Sequence, residues 1–255
     1  MNSNEKEEAL LNILSEELKS TVYSRIETCL ESEEYLRKGR IKWNYGCGNR
    51  YCPVCSKKWK NRVVRNMNKK LESTEYNNYL FMLLNGRNVT IDNLEKEIES
   101  NNKAFTKMLG TKKIKAITKG YIKVLEIAYK EENKTFLPHL HVVLIVKNSY
   151  RKYFQIKSDK EEIKESWRYL KKQKNLFVDI QSVRDINKVI GYLTVSNKKR
   201  LINLVEYESD VIRAYIRATR NKKIYTYGGV VSDKKKDFQK KDLANKDVLN
   251  ITYIQ

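Results

Sequence analysis

Apolar residues recur along this chain at two spacings, and the change between them marks its organisation. Over residues 5–20, Leu10, Ile13, Leu14 and Leu18 fall at helical spacing. Residues 56–73 repeat the pattern, with Trp59, Val63, Met67 and Leu71 on one side and Lys57, Lys58, Lys60, Arg62, Arg65, Lys69 and Lys70 over much of the rest. After residue 75 the apolar runs shorten. Asn78–Asn88 (NYLFMLLNGRN), Gly120–Lys130 (GYIKVLEIAYK), His139–Val146 (HLHVVLIV) and Leu176–Val183 (LFVDIQSV) read as strands, with EENKT as the loop of a hairpin between the second and third. Helices are expected over 91–109, 160–173, 185–199 and 201–220, the third capped by Asp185. A short apolar segment, Thr226–Val231, follows. The class this predicts is α+β: a central antiparallel sheet with flanking helices, preceded by a small N-terminal module. The expected division is residues 1–75, 76–231 and a charged tail, 232–255.

Composition narrows what such a chain can do. Its 255 residues carry 52 Lys+Arg against 31 Asp+Glu, a formal net charge of +21. That excess points to a polyanion, most often nucleic acid. No apolar run is long enough to span a membrane. The acidic N-terminus, MNSNEKEEALLNIL, has no signal-peptide pattern, so the expected location is the cytoplasm. There thiols stay reduced, and clustered cysteines bind metal more often than they form disulfides.

All four cysteines fall between positions 29 and 55. Three are tight, Cys47-x4-Cys52-x2-Cys55, and Cys29 supplies a fourth thiolate. A closed tetrahedral set of this kind suits a structural Zn²⁺. Arg50 inside the cluster, and Lys57 and Lys58 just after it, are candidate cations for DNA.

The only two histidines, His139 and His141, are two residues apart on an expected strand, so both side chains share a face. Glu126 lies within VLEIAY, a carboxylate among apolar neighbours that needs a compensating partner. If the two strands pair antiparallel, Glu126 reaches both histidines, and a His₂Glu set with open positions suits a catalytic divalent ion. Among 17 tyrosines, Tyr192 stands out by position. It follows Lys188 by four residues on an expected helix, so an ammonium shares its face. Tyr169, Tyr225 and Tyr227 are its rivals as a nucleophile.

Taken in order, CGNRYCPVC, a strand followed by RNV, GYIKVLEIAY, LPHLHVVLIV, VDIQSV with the tyrosine helix, and RATRNKKIYTYGG resemble the replication initiator (Rep) proteins of rolling-circle plasmids, within the HUH endonuclease superfamily. The resemblance implies a ferredoxin- or RRM-like nuclease core and metal-dependent nicking of single-stranded or hairpin origin DNA. Glu126, His139 and His141 would hold Mg²⁺ or Mn²⁺, and Tyr192 would form a 5′-phosphotyrosine and leave a free 3′-OH. Host helicase and polymerase are the implied partners. One departure concerns termination: many relatives place a Glu four residues before the tyrosine, where this chain has Lys188. Asp185, a second tyrosine or a second protomer are the substitutes. The alternatives are a related HUH transposase or relaxase, against which stand the cysteine module and the presence of only two histidines. A zinc-containing DNA-binding regulator would leave His139, His141 and Glu126 without a role.

Overall fold

The structure is a computed structural model that describes residues 3–40, 46–150, 156–194 and 208–232. The chain divides into two compact units, one of Met1–Val63, Val195–Ser209 and Asp233–Gln255, the other of Val64–Thr194 and Asp210–Ser232.

In the first unit, α1 (Ser3–Glu17) and α2 (Ser20–Arg37) precede the start of α3 (Pro53–Glu72), whose second half belongs to the other unit. Leu10, Ile13 and Leu14 are buried on α1, as the helical spacing predicts. The second helix is not expected from the sequence. The segment before Cys47 carries no clear apolar period, yet α2 forms and buries just two residues, Ile26 and Cys29. A helix with so narrow a buried face leaves almost no periodic signal to read.

The second unit is built on a five-stranded antiparallel sheet. Its strands are β1 (Asn78–Asn85), β2 (Thr118–Lys130), β3 (Thr135–Val146), β4 (Val178–Ser182) and β5 (Tyr225–Gly229), in the order β4-β1-β3-β2-β5. The central strand β3 buries His141 through Val146 without a break, which explains why its sequence is apolar on both faces. It begins at Thr135, four residues earlier than the apolar run suggests, because its first half pairs with β2 through Lys130↔Thr135. The hairpin turn closes on a hydrogen bond from Lys134 N–H to the Glu131 carbonyl, with Lys134 at a φ of 49°.

A 3₁₀ turn, Ile91–Asn93, leads into α4 (Leu94–Leu109), and α5 (Lys112–Ile117), not expected from the sequence, joins it to β2. With α6 (Ile156–Leu170), α4 meets one face of the sheet. Phe105 stands edge-on to Tyr121 with ring centroids 5.2 Å apart, and Trp167 Nε1 donates to the Asn85 carbonyl at 2.9 Å. The helix α7 (Ile186–Leu193) meets the opposite face, its Tyr192 ring against Phe81 and His141. On that same face the second half of α3 sets Lys70 Nζ 4.8 Å from the Tyr227 ring. Among the described residues the last helix is α8 (Ser209–Thr219). The expected end of the tyrosine helix at 195–199, the start of the helix expected at 201–220, and the charged tail from 233 lie outside the described residues.

Candidate active site and metal centres

The β2–β3 hairpin brings three ligand-type side chains to one point. Its register sets Glu126 directly opposite His139, and His141 lies two residues further along the same face. Glu126 Oε2 is 2.7 Å from His141 Nε2 and 3.6 Å from His139 Nε2. The three ligand atoms lie within 4.8 Å of one another. His139 Nδ1 sits 3.1 Å from the Leu137 carbonyl, which can only accept, so Nδ1 carries the proton. The Nε2 lone pair is thereby turned toward the carboxylate, the way a metal-binding imidazole is oriented. His141 is buried, while the His139 and Glu126 side chains are 12% and 27% exposed, so the cluster opens on one side. Two imidazole nitrogens and one carboxylate oxygen converging on a partly open point fit a divalent ion with free coordination positions.

Tyr192 stands at this opening. Its ring is edge-on to His141, centroids 5.1 Å apart and planes 72° apart, and also meets Phe81 at 6.2 Å. The residue remains 56% exposed. The helix beneath it is short, and Asp185 starts it as the sequence predicts: its carboxylate accepts from the Asn187 and Lys188 N–H groups. Ile190 and Leu193 anchor the buried side. Lys188 is exposed and one turn before Tyr192 on its face.

The four cysteines also converge. Cys29 from α2 and Cys47, Cys52 and Cys55 from the knuckle have sulfurs within 4.8 Å of one another, with Cys29 to Cys55 at 3.6 Å and Cys47 to Cys55 at 3.7 Å. Four sulfurs about 2.3 Å from a central ion would be roughly 3.8 Å apart, so the set fits a tetrahedral metal. Gly46 makes the close approach possible: its φ is +73°, and a Cβ there would stand 2.6 Å from the Cys55 sulfur. Hydrogen bonding from Cys52, then from the Gly48 N–H and the other two thiols, pulls the Cys55 thiol down to about 5. Burial pushes Cys29 up to about 11. The thiol cluster therefore holds one thiolate readily, and an ion is needed to hold four.

Of the candidate DNA contacts, Arg50 lies over the Tyr51 ring at 5.9 Å, and Lys58 pairs with Glu33 at 3.2 Å. The Lys57 side chain lies outside the described residues. A second charged group escaped the sequence. Glu97, Asn101 and Lys171 are buried near the His139 end of the sheet, with Glu97 Oε1 2.7 Å from Lys171 Nζ. The signal was there: Leu94, Glu97, Ile98, Asn101, Phe105 and Met108 form one helical stripe, so two polar residues occupy core positions.

The chain is similar to known proteins. The replication protein family matches residues 38–253. "Protein rep" of Streptococcus pneumoniae is 25% identical over 91% of this chain and 76% of its own length. "Protein rep" of Staphylococcus aureus is 28% identical over 69% and 74%, and that of Bacillus amyloliquefaciens 26% over 89% and 76%. No solved structure matches significantly. Among the described residues no helix is long and apolar enough to cross a membrane. A family match over most of the chain, on a five-stranded sheet with a His₂Glu cluster at its centre, settles the assignment: the protein belongs to the replication protein (Rep) family, as a rolling-circle plasmid replication initiator.

Proposed function

We propose that this initiator opens replication by cutting one strand of its origin DNA and joining itself to the cut end. The observation that carries this is the exposed Tyr192 ring edge-on to His141, beside the convergent ligand atoms of Glu126, His139 and His141. A divalent ion held by those three, Mg²⁺ or Mn²⁺, supplies Lewis-acid polarisation of the scissile phosphate. Tyr192 Oη forms the new bond to phosphorus, the bond to the 3′ oxygen breaks, and its electron pair stays on that oxygen. The phenolic proton is lost and the 3′ oxygen gains one, so protons balance. The products are a 5′-phosphotyrosine and a 3′-OH from which a polymerase, with a helicase ahead of it, extends the strand. One phosphodiester is exchanged for another, so the link is kept for rejoining.

Lys188, on the face of Tyr192, draws the phosphate. Asp185 caps the helix through Oδ1, which accepts from both the Asn187 and Lys188 N–H groups. Final release of the strand falls to the other oxygen of that carboxylate, to a second tyrosine or to a second protomer. The cysteine cluster holds Zn²⁺ in a closed structural site, and Arg50, Lys57, Lys58 and Lys188 contribute to DNA binding. The domain that carries nicking is residues 76–231, with the metal module before it and the tail after it.

The test is incubation of the protein with a single-stranded oligonucleotide from its replicon's origin and Mn²⁺. A covalent protein–DNA adduct is expected, absent with EDTA and absent from Tyr192→Phe. An adduct undiminished in Tyr192→Phe removes Tyr192 from the chemistry, and no adduct from the wild type removes nicking.

A further inference from the structure

At the His139 end of the sheet, α4 and α6 bury a charged group that the nicking chemistry does not use. Glu97 is 4% exposed, and its Oε1 accepts from the Arg87 backbone N–H at 2.9 Å and from Lys171 Nζ at 2.7 Å. Its Oε2 faces Arg87 Nε at 3.3 Å. The Lys171 side chain is fully buried and also donates to Ser100 Oγ at 2.6 Å. Two cations therefore share one carboxylate. A buried pair is balanced when the charges match, and here one positive charge is left over. Among the described residues no other carboxylate pairs with Arg87, whose side chain is 49% exposed. The excess charge therefore faces solvent on Arg87.

Its place in the fold is fixed. Asn85 lies opposite His139, and Arg87 is two residues further on. Between them the Gly86 N–H donates to the Pro138 carbonyl at 2.9 Å, and Asn101 Nδ2 donates to the same oxygen at 3.0 Å. The residue before His139 and the residue before Arg87 are thus tied to one another. A guanidinium drawn to a carboxylate on its Nε side leaves its two outer nitrogens for another anion, and their planar fork matches a phosphate.

We propose that Arg87 is a phosphate-binding residue, and that its ligand is a backbone phosphate of the DNA strand that the protein binds. The identity of that strand rests on the nicking proposal; the contact itself does not need the chemistry. Binding is best measured in a Tyr192→Phe background, where no bond is cut, by fluorescence anisotropy with a single-stranded oligonucleotide from the replicon's origin. Arg87→Ala is expected to weaken binding about tenfold, the value of one charge-assisted contact. The slope of log Kd against log salt should drop by about 0.7, one phosphate on a single strand. Arg87→Lys should keep the slope.

A walk of single methylphosphonate linkages localises the contact. One neutral linkage should weaken the Arg87 protein and leave Arg87→Ala unchanged, a comparison that holds even if the variant melts earlier. Equal binding and slope in Arg87→Ala, or a walk in which every linkage affects both proteins alike, overturns the proposal. A Tyr192 protein that forms no adduct while the walk finds the Arg87 linkage fails the nicking proposal alone. A Tyr192 protein that forms the adduct while Arg87→Ala binds normally fails this one alone.

Discussion

A methyl group on Gly86 would stand 2.5 Å from Asn101 Nδ2, 2.6 Å from the Pro138 carbonyl and 2.9 Å from Glu97 Oε1. None of these can step aside, since Asn101 and Glu97 are buried and Pro138 is backbone in the central strand. Gly86→Ala is therefore expected to destabilise by about 1–3 kcal/mol, as overpacking does. Moving the Pro138 carbonyl also moves His139, so Mn²⁺ affinity at the histidine cluster should fall with it. Urea melts and Mn²⁺ titration read the two effects; unchanged metal affinity would uncouple the loop from the site. Lys123 offers a different single-residue test. Its amine lies under α4, 2.6 Å from Asn102 Oδ1 and 5.2 Å from the Phe105 ring, and burial pushes it down to about 8. The unfolded chain keeps that proton to higher pH, so the unfavourable contribution is complete below pH 8 and fades as pH rises toward 10.5. Lys123→Met should raise stability at pH 7, with the gain over wild type shrinking by pH 10 in paired chemical melts.

At the scale of elements, the site is a hairpin facing a short helix. The hairpin supplies all three ligand residues from two adjacent strands, so one register decision sets the geometry. Part of that is legible in the sequence: HLH fixes a shared face, and Glu126 stands out as a carboxylate among apolar neighbours, while the pairing that joins them is seen only in the structure. The helix is legible at its start, where Asp185 precedes an apolar run, and α7 begins one residue later. What the sequence hides are features without a period of their own. The helix α2 buries too little, the six-residue α5 is shorter than two turns, and the turn at Gly86–Arg87 depends on side chains from α4 and α6. A helix of eight residues is marginal alone, so its cap matters more than usual. Asp185→Ala should cost about 1 kcal/mol of local stability. Because Glu126, His139 and His141 lie elsewhere, Mn²⁺ affinity should be unchanged while adduct formation slows. A parallel loss of both would place Asp185 in general folding rather than in holding Tyr192.

For the whole molecule, the +21 charge and the cysteine cluster make separate demands. The charge predicts that binding to any single strand weakens linearly in log salt, a property of Lys and Arg contacts to phosphate that carries no sequence information. The cluster concerns folding. The first unit has a small set of buried side chains, and three of its four sulfurs are among them. Units of this size rarely close on hydrophobic burial alone and rely on a staple. A metal that joins Cys29 on α2 to the knuckle at Cys47–Cys55 ties together segments that share little apolar surface, so its binding energy is folding energy for this unit. Titration of the thiols with a mercurial should release one zinc per chain as the fourth thiol reacts, and far-UV circular dichroism should lose helix in step. Cys55→Ser should reproduce that loss, because the Cys55 sulfur lies 3.6 Å from that of Cys29 and 3.7 Å from that of Cys47, and its thiolate is the one the fold already favours. Helix content that survives complete zinc release would mean that packing of α1 and α2 suffices, and the metal would then be a passenger in a preformed cage.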